Sequence, residues 1–418
     1  MSSMRGRHVD SLTAYKRAGS REHTDSYDKE EDSVRWLNGK DIGHPSWKHS
    51  LRNVLVAALS SFLFGYHLGV VNETLESISL DLGFSGSTMA EDNLSNGEFS
   101  QSSSKYMSRR CFCWVSVQWL DCSGVGRRRA FQLCALPMII GASMSATTTS
   151  LWGMLLGRLF AGTGMGLGPP VAALYVAEVS PASVRGTFGS LTQIATCLGL
   201  MCALFVGIPS KQTVGWWRIC FWLSVLPAAV LALFMEFSAE SPHWLFKRGR
   251  GTEAEAEFEK LLGVTHVKYA IAELSKSSRG DESDTPKFSD MLYGRHFKVI
   301  FIGSTLFALQ QLSGINAVFY FSSTVFKSFG VPSDLANTCV GLANLLGSVL
   351  AMILMDKLGR KALLLGSFSG MAVSMGLQVI AASSFASKSG SIYLSLGGMR
   401  LFVLTISVGA GPVPSLLL

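Results

Sequence analysis

Long apolar stretches recur along this chain of 418 residues, and they restrict its fold more than any other feature. Segments near Leu51–Val71, Ala130–Ser150, Leu151–Ala177, Phe188–Ile208, Trp217–Ser238, Phe297–Phe326, Asp334–Met355, Ala362–Phe385 and Ile392–Leu418 are each long enough to cross a bilayer as a helix. In hydrocarbon every backbone N–H and C=O must be satisfied internally, so such a pattern predicts an all-α integral membrane protein. Composition agrees, with 48% of residues hydrophobic and 16% charged. A net charge of +7 invites a nucleic-acid reading that the spans oppose; here it serves as a topology signal.

The positive charges alternate. Arg127, Arg128 and Arg129 precede the Ala130 segment, Arg185 follows the Leu151 segment, and Lys357, Arg360 and Lys361 follow the Asp334 segment. The loop after Ser238 is rich in lysine and arginine, whereas the opposite connections hold little beyond Lys211, Lys327 and Lys388. By the positive-inside rule, the amino-terminal tail, the loop and the arginine clusters face the cytosol. That topology needs another crossing between Val71 and Arg127. Residues 89–123 supply a poor one, being polar and serine-rich except for Cys111–Leu120.

Within the Phe297–Phe326 segment lie Gln310, Gln311 and Asn316. Unpaired amides in hydrocarbon are costly, so each needs a partner. Neutral donors and acceptors suit a polyhydroxylated solute such as a sugar better than an ion or a lipid. On a straight helix, at about 100° per residue, the three side chains diverge. They converge only if the helix bends or unwinds near Gly314, as broken helices do in secondary transporters. The plainer alternative is interhelical glue, which one amide alone would favour. A second polar stripe, Gly341, Asn344 and Ser348, falls on one helix face and serves either a ligand or helix packing.

Two charged turns match each other: Gly124-Val-Gly-Arg127-Arg-Arg129 and Asp356-Lys-Leu-Gly359-Arg-Lys361. Repeated turns on either side of a central loop resemble the major facilitator superfamily. Phe64-Gly-Tyr-His-Leu-Gly-Val70, Gly157-Arg-Leu159, Tyr175-x-x-Glu178 through Arg185-Gly186, Glu240-Ser-Pro-x-Trp244-Leu245, Gln310-Gln-x-x-Gly-x-Asn316 and Gly411-Pro-x-Pro414 resemble its sugar-porter branch. His67 followed by Val71-Asn72 is most similar to the plant plastidic glucose transporters.

The resemblance implies a fold of two pseudo-repeated six-helix halves, with about 10 spans present in this chain. Residues 1–47 are expected to be a disordered cytosolic tail, and 48–238 the first half with an aberrant second span at 89–123. Residues 239–296 form a cytosolic central loop, and 297–418 an incomplete second half with four of six helices. It also implies that Gln193, Gln310, Gln311, Asn316 and Asn344 bind sugar hydroxyls, with Tyr320 closing over the sugar or packing in the core. Arg158, Glu178, Arg185, Glu240, Asp356 and Arg360 become gating or charge-pair residues. The alternative for some of these charges is topology anchoring. His67 occupies the position where proton-coupled relatives carry an aspartate, which makes it the coupling candidate. Burial favours a neutral histidine, so facilitative uniport is expected.

The expected function is therefore hexose transport, of glucose type, by alternating access in a plastid envelope, with Golgi or plasma membrane as alternatives. The expected partners are a sugar and the lipid bilayer, with no nucleic acid. No cofactor, metal site or enzymatic activity is expected, because the sequence holds no phosphate loop, metal cluster or nucleophile–base set. Two rivals remain: a proton-coupled symporter, and a non-transporting sugar-binding, regulatory or inactive splice-variant protein. The departures at 89–123, and a chain that stops inside the tenth expected span, favour the second rival. His243, where the family carries arginine, weakens an ion pair in this reading.

Overall fold

The computed structural model describes residues 47–81, 124–210, 215–279, 297–315, 333–382 and 388–417. The expected tail and the poor crossing at 89–123 lie outside these residues. Helices dominate what is described. The first half contains α1 (Trp47–Asp81), α2 (Arg127–Thr147), α3 (Leu151–Val179), α4 (Arg185–Ser210) and α5 (Trp216–Glu236). The loop carries α6 (Pro242–Lys247), α7 (Gly251–Leu262) and α8 (Val267–Arg279). The second half contributes α9 (Phe297–Leu312), α10 (Ser333–Leu358), α11 (Arg360–Ala382), α12 (Lys388–Val408) and α13 (Pro412–Leu417).

Among the described residues, eight helices are long and apolar enough to span a membrane. They correspond to every segment anticipated from sequence except Phe297–Phe326, which is described as a shorter apolar helix ending at Leu312. Their burial is one-sided. Leu136, Trp152, Phe205, Leu226 and Val379 are exposed, while Phe131, Tyr175, Trp217 and Phe402 are fully enclosed. In water so much exposed apolar surface would drive association; against lipid it is the expected exterior.

Helix α1 runs ten residues beyond Val71, the end anticipated from hydropathy. Asn72 and Glu73 break the apolar run without breaking the helix, because tertiary contacts hold the extension. Trp216 Nε1 donates to Ser77 Oγ at 3.0 Å, and Trp217 Nε1 donates to Asp81 Oδ2 at 2.6 Å.

Helix pairs in the first half pack close enough to require small residues. α1 packs along α4, and α2 packs between α3 and α5. A Cβ added at Gly65 would lie 1.9 Å from the Thr196 carbonyl oxygen, and one at Gly199 would lie 2.0 Å from that of Phe62. Without an aqueous hydrophobic drive between spans, such close backbone packing is what holds helices together. The second half gathers a smaller core around Val340, Met371, Phe402 and Ile406. The halves meet where α4 packs on α10.

Candidate functional site

The meeting of α4 and α10 is where polar side chains collect. Asn344 on α10 is 8% exposed, and its Oδ1 accepts from Ser407 Oγ on α12 at 2.5 Å. One turn on, Ser348 Oγ donates to the Asn344 carbonyl at 3.0 Å and lies 3.2 Å from Cys197 Sγ on α4. Gln193 sits one turn before Cys197 and interacts with its thiol. The Gln193 amide nitrogen also lies close to Gly411, at 3.6 Å from where a Cβ would stand. Gly411 lies just before α13, which packs against α4 and α9. Groups from α4, α10 and α12 thus form one uncharged cluster of amides, hydroxyls and a thiol between the halves.

At the end of α9 the chain turns sharply. Ser313 N–H donates to the Leu309 carbonyl and Gly314 N–H to that of Gln311, with Gly314 at φ +83°. A left-handed residue ends an α-helix, and glycine adopts it without steric cost. The helix therefore ends just before Gly314, the glycine near which a bend was anticipated. Gln310 is half-buried and Gln311 exposed, on the last turn of α9. Asn316 and Tyr320 lie outside the described residues, as does the side chain of Asp356.

His67 and Arg158 form a separate deep pair of elements. His67 is 1% exposed, and neither ring nitrogen has a hydrogen-bond partner among the described residues. Arg158, 3% exposed, lies over the Phe221 ring at 4.3 Å and within electrostatic reach of His67. Arg158 belongs to the Leu151 end of α3, so it stands apart from the charges at the opposite, loop-bearing end.

At that loop-bearing end Glu178 is gripped by Arg127 in a two-pronged pair, at 2.9 and 2.8 Å, with both side chains largely buried. Glu240 does something that its charge alone does not suggest. Its Oε1 accepts the backbone N–H groups of Arg127 at 2.9 Å and Arg128 at 3.3 Å, capping α2 with a carboxylate. The unsatisfied N–H groups and dipole of a helix start make that a favourable place for negative charge. Gly126, at φ +97°, admits the carboxylate: a Cβ there would stand 2.8 Å from Glu240 Oε2. Both contacts lie within the first half and its loop; neither crosses to the second half. Arg185 and Arg360 are exposed. Arg127, anticipated from sequence only as part of a repeated charged turn and as a topology charge, is the residue that pairs with Glu178.

His243, at the start of α6, packs edge-on to Phe258, and its Nδ1 is buried without a partner among the described residues. Burial lowers its pKa from the ordinary histidine value, with Glu178 opposing the shift. As pH falls through about 6.5, the unfolded chain takes up this proton first, so stability should fall with it. Thermal unfolding at pH 7.5 and 5.5 should show that loss in the native protein and a smaller one in His243→Phe. An identical pH slope in both would assign the loss to other groups.

The model of the sugar (and other) transporter family matches residues 53–418. The chain belongs to that family. It is 64% identical to the probable plastidic glucose transporter 3 of Arabidopsis thaliana, over 99% of this chain and 81% of that protein. It is 60% identical to the probable plastidic glucose transporter 2 of the same plant, over 99% of this chain and 84% of that one. Among solved structures, the major facilitator proton:xylose symporter XylE bound to 6-bromo-6-deoxy-D-glucose superposes with a TM-score of 0.78 at 26% identity. That match covers 88% of this chain and 82% of the symporter. The major facilitator fold of this sugar-transporter family member, read first from its charged turns, is thereby established.

Proposed function

We propose that the protein is a hexose carrier of glucose type in a plastid envelope, working by facilitative uniport. The observation that carries this reading is the uncharged cluster of Gln193, Asn344, Ser348 and Ser407 between the two halves. Amides and hydroxyls can exchange their mutual hydrogen bonds for bonds to sugar hydroxyls at little net cost, which a buried charge cannot do. Gln310 and Gln311 extend the set from the broken end of α9. An exposed amide at membrane depth is tolerable where it lines a water-filled cavity. The plastid assignment rests on the two relatives named as plastidic.

Uniport is supported by what is buried. Among the described residues no aspartate or glutamate is fully enclosed. A proton on His67 would place a second cation near Arg158 without a carboxylate beside it, which is expensive at low dielectric. Glu178, Arg185, Glu240, Asp356 and Arg360 are read as shaping the gate at the loop-bearing end, with Arg127 added to them.

Glucose uptake into proteoliposomes containing a pH-sensitive dye tests this. The expected result is equilibration of glucose, without accumulation and without proton movement. Sugar-driven acidification of the lumen, abolished in His67→Ala, would make the protein a symporter. Binding of glucose without uptake would favour the non-transporting reading.

A further inference from the structure

A cavity of about 390 Å³ lies away from the amide cluster, at the loop-bearing end of the first half. The start of α1, the start of α2, the end of α5 and loop helix α7 line it, and it opens to the surface. Each of its two carboxylates has a cationic partner, Arg128 for Glu236 at 3.0 Å and Lys260 for Glu257 Oε1 at 2.8 Å, while Glu257 Oε2 is buried without a hydrogen-bond partner among the described residues. Lys48 and Arg52 remain on its wall, exposed and without an ion-pair partner among the described residues, and His49 lies between them. The walls are fixed by bonds between elements. Ala239 N–H donates to Asn53 Oδ1 at 3.2 Å, and Ser50 Oγ donates to the Leu261 carbonyl at 3.5 Å.

The two cations work against their own helix. Lys48 and Arg52 are four residues apart, so they share a face of α1 and repel. They also occupy its start, where the dipole favours anions and where no acidic residue stands in the first turn. Topology alone asks for positive charge somewhere at this end. It does not ask for two further cations aligned on a cavity where Arg128 and Lys260 already face Glu236 and Glu257, so that positive charge is in excess. One bound anion would relieve the repulsion, complement the dipole and accept hydrogen bonds from both side chains.

We propose that this cavity binds a phosphate group, carried by a soluble phosphate or phosphate ester, or by an anionic lipid headgroup. Its volume lies within the range of small-ligand sites. A bound phosphate would tie α1 to α7 through Lys260, fastening the loop to the first half. This site is independent of the sugar reading and needs no transport to be observed.

Equilibrium binding of radiolabelled orthophosphate to the full chain in phosphatidylcholine nanodiscs tests the proposal, with a parallel set of discs containing phosphatidylglycerol. Lys48→Gln/Arg52→Gln is compared with Lys268→Gln/Lys276→Gln, which removes the same charge from exposed positions on α8. Saturable phosphate binding, weakened about tenfold or more in the cavity variant and unchanged in the control, is expected. Persistence of that binding in phosphatidylglycerol discs would identify a soluble phosphate as the natural source. Its loss there, with more phosphatidylglycerol retained by the native chain than by the cavity variant, would identify the lipid. Equal weakening in both variants would reduce the effect to net charge and overturn the site. So would the absence of both saturable phosphate binding and selective lipid retention.

Discussion

Replacing Asn344 with leucine is expected to weaken glucose binding about tenfold to a hundredfold while the protein still folds. The loss of a buried hydrogen-bonding group facing a sugar hydroxyl costs roughly 1.5–3 kcal/mol, and each 1.4 kcal/mol is tenfold in affinity. Folding should survive because Ser407 Oγ, which donates to Asn344 Oδ1, lies 2.6 Å from the Val403 carbonyl and can donate there instead. That same bond separates a ligand role from helix glue. If Asn344 only ties α10 to α12, Ser407→Ala should reproduce the effect of Asn344→Leu. If Asn344 holds sugar, Ser407→Ala should change binding by less than about threefold. Equilibrium glucose binding to both purified variants decides between them, and equal losses would remove Asn344 from the site.

Arg127→Gln is expected to destabilise the first half by about 3 kcal/mol, because it strands a largely buried Glu178 carboxylate. Glu178→Gln should cost a similar amount for the converse reason. The double variant should recover most of the loss, since neither charge is then left uncompensated. Thermal unfolding in detergent across this four-protein cycle measures the coupling directly. Strictly additive losses would mean that the two-pronged pair contributes nothing beyond its separate side chains. Transport in the double variant then reads whether the pair shapes the gate: restored stability with altered uptake would assign it there.

Most of the membrane architecture was legible because hydrocarbon imposes one rule on every span. Wherever some 20 apolar residues ran together, a helix was required. The segment ends were less legible. α1 outruns its apolar stretch because Trp216 and Trp217 clasp Ser77 and Asp81, contacts that link residues far apart in sequence. The turn at Gly314 was half legible, since a glycine among diverging amides marks where a helix could break, while helix glue remained the alternative. The partners of Asn344 were half legible. Ser348 shares its helix face, whereas Ser407 and Cys197 come from other helices and carry no marker in their own segments.

The sequence by itself determined that this chain spans a membrane, that its positive charges cluster on alternate connections, and that three amides and a glycine share one apolar segment. Each of these follows from composition and local spacing, which the bilayer reads directly. Only the tertiary structure decided which charges meet. Arg127, Arg185 and the other cations at the loop-bearing end are alike in sequence. Helix packing brings Arg127 within 2.8 Å of Glu178 and spends the Glu240 carboxylate on capping α2. It also leaves Lys48 and Arg52 facing a cavity without an acidic partner among the described residues. The reason is physical: an electrostatic pair depends on a distance of a few ångströms and on burial, and sequence separation fixes neither.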